Sequence, residues 1–271
     1  MQGAENIMLD IAWSSVVAPR YPEVLCKDYL PIIKGCVNLI SAQGGIGKTF
    51  ISLINTLFYL KDNPASCAYL WTTEDDPSLM KTREIAVLNR YLTQGIDFRK
   101  EIKRLAYGYH HLPFIEKHQG VYRESEFFPL ALQQLTLFNL IVIDPLLNVF
   151  GGDNENDNHQ ARTFMNVLKR AASDNGKTFL VVHHGRKGDG SMRGASAFQD
   201  SSRLAYEILR DETGQIIARM TKSNYTGKYG DVILNPIPDP RYFPRDGEYE
   251  PKADGTTGTA NVHYLTDNAP F

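Results

Sequence analysis

The sequence predicts an α/β protein with a mostly parallel central sheet, helices on both of its faces and an antiparallel extension at its C-terminal end. Three observations carry this. The runs CVNLISA (36–42), CAYLWT (67–72), LIVID (140–144) and TFLVVH (178–183) are apolar at nearly every position, the pattern of strands buried on both faces. Stretches with apolar residues at helical spacing separate them, so strands and helices alternate as in βαβ units. After residue 200 the texture changes to strand-like segments joined by short turns.

Taken in order, residues 1–35 carry short apolar pieces broken by Pro19, Pro22 and Pro31, and read as an N-terminal arm. A core over 36–235 follows. The strand 36–42 leads through a Gly-rich turn into KTFISLINTLFYLK, where Phe50, Ile51, Leu53, Ile54, Leu57 and Phe58 recur with helical period. The strand 67–72 is followed by a turn at Glu74 to Pro77 and by the amphipathic helix SLMKTREIAVLNRYL. SEFFPLALQQLTLFN reads as a helix feeding strand 140–144, and ARTFMNVLKRAASD as one feeding strand 178–183. SRLAYEILR, QIIARMTKS and DVILNP are the C-terminal strands, with turns at Glu212 to Gly214 and Thr226 to Gly230. The stretch 236–271, rich in Pro, Gly, Asp and Thr, reads as an extended tail.

Composition narrows the function classes. A chain of 271 residues, 42% hydrophobic and 22% charged, suits one large folded core and excludes collagen-like or disordered chains. No apolar run approaches the roughly 20 residues that span a bilayer, and MQGAENIMLD lacks a basic region followed by an apolar one, so the expectation is a cytoplasmic protein with no membrane contact. Cys26, Cys36 and Cys67 are odd in number and share no C-x-x-C spacing, which argues against a disulfide framework or a Cys-rich zinc site. A net charge of −2 means that nucleic acid, if bound, is met by local basic loops and not by a global positive field.

The strongest motif is Ala42-Gln43-Gly44-Gly45-Ile46-Gly47-Lys48-Thr49, the spacing of a phosphate-binding loop with Ala at the first glycine position, set between a buried strand and an amphipathic helix. Gly44, Gly45 and Gly47 let successive N–H groups turn inward around a phosphate, and the first helical turn adds its unpaired donors and dipole. The nucleotide-binding set is therefore Gly44, Gly45, Ile46, Gly47, Lys48, Thr49 and Phe50, for ATP with Mg²⁺. Lys48 would meet the β- and γ-phosphates, and Thr49 would hold the metal. Asp144 ends an apolar strand about a hundred residues on and is the candidate to hold Mg²⁺ through water. Glu74, directly after the strand that follows the phosphate-loop helix, is the candidate to polarise the attacking water. The structural alternative there is that Asp75 or Asp76 caps the next helix and Glu74 is merely solvated.

Taken together, SAQGGIGKT, YLWTTEDDP, LIVID, VVHHGRK and RGASAFQDSSR, in that order over about residues 36–225, resemble the RecA-fold ATPases and more narrowly the RepA-type hexameric replicative helicases of plasmids. The resemblance implies a RecA-like P-loop NTPase core, a homo-oligomer in the form of a hexameric ring, and single-stranded DNA as partner. It also implies that His184 senses the γ-phosphate, that Arg203 acts as a finger on the neighbouring subunit's ATP, and that Lys222 reaches a phosphate across the same interface. His183, pointing to the opposite face from His184, reads as a core histidine. Arg203 read without the resemblance is a surface strand residue.

Two loops depart from a simple reading. Gly151-Gly152-Asp153-Asn154-Glu155-Asn156-Asp157-Asn158 is acidic, an odd face for DNA; its sixth and twelfth loop positions lack the Gly and Glu of a calcium loop, and Asp157 or Asn158 reads as a helix N-cap. Arg186, Lys187 and Arg193 lie in a Gly-rich loop that either tracks DNA phosphates or is simply solvated. Three function classes stay open: an ATP-driven motor on single-stranded DNA, a recombinase- or clock-type RecA-fold ATPase without unwinding, and a nucleotide-regulated binding module.

Overall fold

The computed structural model describes residues 22–185, 194–224 and 230–244. Its elements in chain order begin with the two-residue strands β1 (Val24–Leu25) and β2 (Ile32–Ile33), an antiparallel ribbon. Then come β3 (Val37–Ala42), α1 (Lys48–Asp62), β4 (Cys67–Thr72), α2 (Pro77–Thr93) and β5 (Leu105–Gly108). A hairpin of β6 (Ile115–His118) and β7 (Val121–Glu124) leads to α3 (Phe127–Gln134) and β8 (Phe138–Asp144). The chain continues through α4 (Leu147–Phe150), α5 (Asn158–Asn175), β9 (Thr178–His184) and α6 (Ala197–Ser201). It closes with β10 (Leu204–Arg210), β11 (Ile216–Ser223) and β12 (Val232–Leu234).

Eight strands form one sheet in the order β12-β11-β10-β3-β9-β8-β4-β5. Pairings from β10 across to β5 are parallel, and β11 and β12 add antiparallel strands at one edge, as the strand-like C-terminal segments predict. Alternation of side chains along each strand divides the core in two. Ile40, Ala42, Leu70, Val142, Leu180 and Val182 pack under α1 and α2, while Leu39, Trp71, Ile141, Ile143, Phe179 and Val181 pack under α3, α5 and α6. The N-terminal ribbon is sewn to the first layer. Asn38 on β3 accepts from the Ile33 amide at 2.8 Å and donates to the carbonyls of Ile33 and Phe179, so a buried amide spends its capacity tying β2 to two sheet strands.

The structure shortens one predicted helix. α3 stops at Gln134 instead of running on through Asn139, because Lys177 reaches in to donate to the carbonyls of Leu135, Thr136 and Phe138 at 3.0, 2.7 and 2.7 Å. These bonds satisfy the carbonyls without further helical turns and release Phe138 to pair with Cys67 on β4. β5, the β6–β7 hairpin, α4 and α6 are additions that the sequence pattern did not announce. The hairpin turns on Gln119 and Gly120, both at positive φ (49° and 83°), the conformation of a tight two-residue connection. Part of the turn expected at Thr226 to Gly230 lies outside the described residues, as do residues 1–21 and 245–271 of the predicted arm and tail.

Candidate nucleotide site

The site forms where the parallel strands end. β3 delivers the chain into the loop 43–47, in which Gly45 and Gly47 take left-handed backbone (φ 76° and 92°) that an L side chain adopts only with strain. Gly47 is the N-cap of α1, and the Ile51 amide closes the first helical turn on its carbonyl at 3.0 Å. The amides of Lys48, Thr49 and Phe50 consequently belong to the turn with no intrahelical acceptors, the arrangement that binds phosphate. Lys48 is largely buried, and its ammonium donates to the Gln43 carbonyl at 3.3 Å, folding the side chain back over the loop. Ile46 is buried. The Phe50 ring lies under Phe243 and the Arg83 guanidinium, so Phe50 offers a ligand its backbone amide and not its ring.

Asp144 lies at the end of β8 on the same face as α1. One carboxylate oxygen accepts from the Ser52 hydroxyl at 3.2 Å; the other is buried with no hydrogen-bond partner. Burial pushes this carboxyl up to about 6, against the pull of Lys48 and of the Ser52 hydroxyl, and the charge of Glu74 adds to the rise. A buried acid with an open oxygen, beside a lysine and the Thr49 hydroxyl, is a donor set that a divalent cation would complete, so these residues fit Mg²⁺. Among the described residues no group of three His, Cys, Asp or Glu could hold a metal alone, consistent with a cation shared between Thr49, Asp144 and phosphate.

The three acids after β4 separate by role. Asp76 is the N-cap of α2, accepting from the Leu79 amide at 2.9 Å with Pro77 in the first turn. Asp75 pairs with Arg83 at 2.9 Å. Glu74 remains about half exposed and meets Nε2 of His184 at 3.3 Å across the end of β8. His184 pairs in register with Ala42, the residue that opens the phosphate loop, and the Gly185 amide donates to the Ala42 carbonyl at 2.7 Å. His183 points the other way, fully buried with its ring 5.1 Å from that of Phe198.

Lys48, Thr49, Glu74, Asp144 and His184 thus come together at one end of the sheet. Arg203 and Lys222 do not. The Arg203 amide donates to the carbonyl of Val37, at the start of β3, and its carbonyl accepts from Asn224; Lys222 pairs with Ala205 one step further along. The phosphate loop leaves the other end of β3, about 17 Å away for a six-residue strand. Neither cation reaches the nucleotide held by its own chain. Arg186, Lys187 and Arg193 lie outside the described residues.

One component escaped the sequence reading. The segment after β12 crosses the phosphate loop: Pro236 and Ile237 lie against Gly47, Phe243 against Phe50, and Tyr242 is bonded to Asn89 and Thr93 of α2. Its Pro-rich composition carries no periodicity from which docking could be read.

A phosphate loop leaving a central parallel strand, with a buried acid two strands away, a glutamate beyond it and an antiparallel C-terminal edge, defines a P-loop ATPase core of the RecA type. The chain belongs to the AAA domain family, whose model matches residues 4–190. Its fold is similar to that of a helicase ATPase domain among the solved structures, with a TM-score of 0.55 and 13% identity over 74% of this chain and 81% of that one. No curated protein sequence matches the chain. Among the described residues no helix is long and apolar enough to cross a membrane.

Proposed function

We propose that the protein is an ATP-hydrolysing motor of the replicative-helicase kind, assembled as a ring of identical subunits that moves on single-stranded DNA in the cytoplasm. Residues 36–235 form its core, between an N-terminal arm and a C-terminal tail. The observation that carries this reading is the division of the phosphate-binding groups: the loop, Asp144, Glu74 and His184 at one end of the sheet, Arg203 and Lys222 at the other. A second copy is what brings the two sets together.

In this reading the loop amides and Lys48 hold the β- and γ-phosphates. Thr49, and Asp144 through water, hold Mg²⁺, which when bound neutralises charge on the phosphate oxygens. Glu74 orients the attacking water and accepts its proton. His184 sits between the γ-phosphate and the chain that continues into Arg186, Lys187 and Arg193, the residues assigned to DNA. Arg203 and Lys222 stabilise charge on the phosphoryl group bound by the neighbouring copy.

A RecA-fold ATPase that assembles without unwinding is the second reading, favoured by the net charge of −2 and the acidic loop 151–158. The deciding experiment is the ATPase rate with and without single-stranded DNA, alongside a mass measurement of the assembly. Stimulation by DNA with a ring-sized mass supports the motor; an unchanged rate on a ring supports the second reading.

A further inference from the structure

A third cation converges on the end of the sheet that carries Arg203 and Lys222. The N-terminus of α5 is tied to the start of α6, where the Asn158 side chain accepts from the Ala197 amide at 3.1 Å. From there Lys169 is eleven residues down α5, about 16 Å at 1.5 Å per residue. This descent matches the length of β3 and brings Lys169 level with Arg203, which follows α6 and starts beside Val37. Lys222 arrives from β11, its ammonium held by the carbonyls of Gln199 (3.2 Å) and Asp200 (2.5 Å) at the C-terminal end of α6.

The three charges feel one another. Burial holds the Lys169 ammonium below its ordinary value, and the Arg203 charge lowers it further. Burial likewise lowers Lys222; Asp200 opposes this, and Arg203 and Lys169 reinforce it. Lys169 also lines a groove of about 850 Å³ between α5 and β7. Its neighbours there are committed to carboxylates, Arg170 to Glu124 at 2.5 Å and Arg123 to Glu116 at 3.2 Å, whereas Lys169 has no ion pair among the described residues. Clustered like charges on half-buried stems raise the free energy of the isolated chain, and a polyanion would relieve it.

We propose that Lys169, Arg203 and Lys222 form one polyphosphate-binding site, which receives the triphosphate held by the phosphate loop of a second copy. Its partner chemistry is a compact polyanion and not a nucleic-acid backbone. The three cations meet at one spot instead of forming a row, and they lie at the end of the sheet opposite the loop that bears Arg186, Lys187 and Arg193. The transfer of this site to a neighbour's nucleotide rests on the oligomeric reading above; the site itself does not.

Two measurements separate these layers. In the Lys48→Ala variant, whose own loop no longer holds phosphate, inorganic tripolyphosphate is titrated calorimetrically. Binding is expected to persist and to weaken about tenfold or more when Lys169→Met is added. Unchanged binding after the second substitution, or loss of single-stranded oligonucleotide binding in its place, overturns the site. For the layer in trans, Lys169→Met subunits are expected to bind ATP normally, assemble normally and turn over roughly 10- to 100-fold more slowly. Lys169→Arg is expected to recover part of the rate. Mixing Lys169→Met with Lys48→Ala subunits, each impaired alone, is expected to restore turnover, because the intact loop of one then meets the intact cations of the other. Failure of the mixture to recover overturns the action in trans. A monomeric mass together with tripolyphosphate binding that depends on Lys169 overturns only the oligomeric reading.

Discussion

His184 and Glu74 touch across the end of β8, Nε2 to carboxylate oxygen at 3.3 Å, although they are separated in the sheet by the strand that ends in Asp144. The contact places the residue assigned to water within reach of the residue assigned to the γ-phosphate. It also makes the two separable by substitution. Glu74→Gln preserves size and hydrogen bonding but cannot take a proton, so ATP binding is expected to be unchanged while turnover falls about 10²- to 10⁴-fold. Filter binding and a coupled phosphate-release assay read the two quantities. A Gln variant with ordinary turnover would remove Glu74 from the chemistry and return it to the role of a solvated loop acid.

Asp144 gives a prediction whose sign differs between stability and activity. Its folded carboxyl titrates at about 6, above the ordinary carboxylate range near 4, so the unliganded fold disfavours the charged form. Wild-type stability is therefore highest, as far as this group decides it, at and below about pH 4, where the carboxyl is protonated in both states. It declines as the pH rises from about 4 to about 6 and levels off above. Asp144→Asn removes the buried charge and is expected to stabilise the metal-free protein at about pH 7 by about 1–3 kcal/mol, an advantage that shrinks as the pH falls from about 6 to about 4. Thermal melts across that range, with chelator present, test it. The same variant is expected to lose Mg²⁺-dependent hydrolysis, because the open oxygen that fits the cation is gone.

Much of this site was legible in the sequence because its parts are local. Gly44 to Thr49 carry their function in consecutive backbone amides, and Asp144 is announced by the apolar run before it. The assignment of Asp76 as cap and Glu74 as the reaching acid came only with the structure, since EDDP allows any of its acids either role. The early end of α3 depends on Lys177, some forty residues downstream, whose ammonium replaces helical hydrogen bonds; no window of sequence around Gln134 contains that information. Long-range packing likewise hid the segment Pro236–Phe243, because proline-rich chain reads alike whether it docks or trails.

Gly47 tests that docking directly. A β-carbon there would stand 2.9 Å from Ile237 Cγ1 and 3.2 Å from Pro236, on backbone already at φ 92°. Gly47→Ala is therefore expected to cost about 1–2 kcal/mol of stability and to weaken nucleotide binding by distorting the loop. Adding Ile237→Ala removes the steric part and leaves the backbone strain, so partial recovery of the melting temperature is expected. Equal melts for the single and double variants would show that the C-terminal segment does not rest on the loop in solution.

Arg203 tests the geometry of the assembly. Its position at the start of β10, beside Val37, separates it from its own chain's phosphate loop by the length of β3. A loss in cis would scale with the fraction of variant subunits. A finger in trans behaves otherwise: each Arg203→Ala subunit silences the site of its neighbour, and where sites fire in sequence around a ring one defective interface stalls the others. Turnover of mixed assemblies is therefore expected to fall faster than the wild-type fraction, with fully substituted assemblies about 10³-fold or more below wild type and ATP binding retained. The measurement is ATPase rate against mixing ratio after subunit exchange. A straight line through the mixing series would place Arg203 outside the site, and a curve that bends below it supports the shared site.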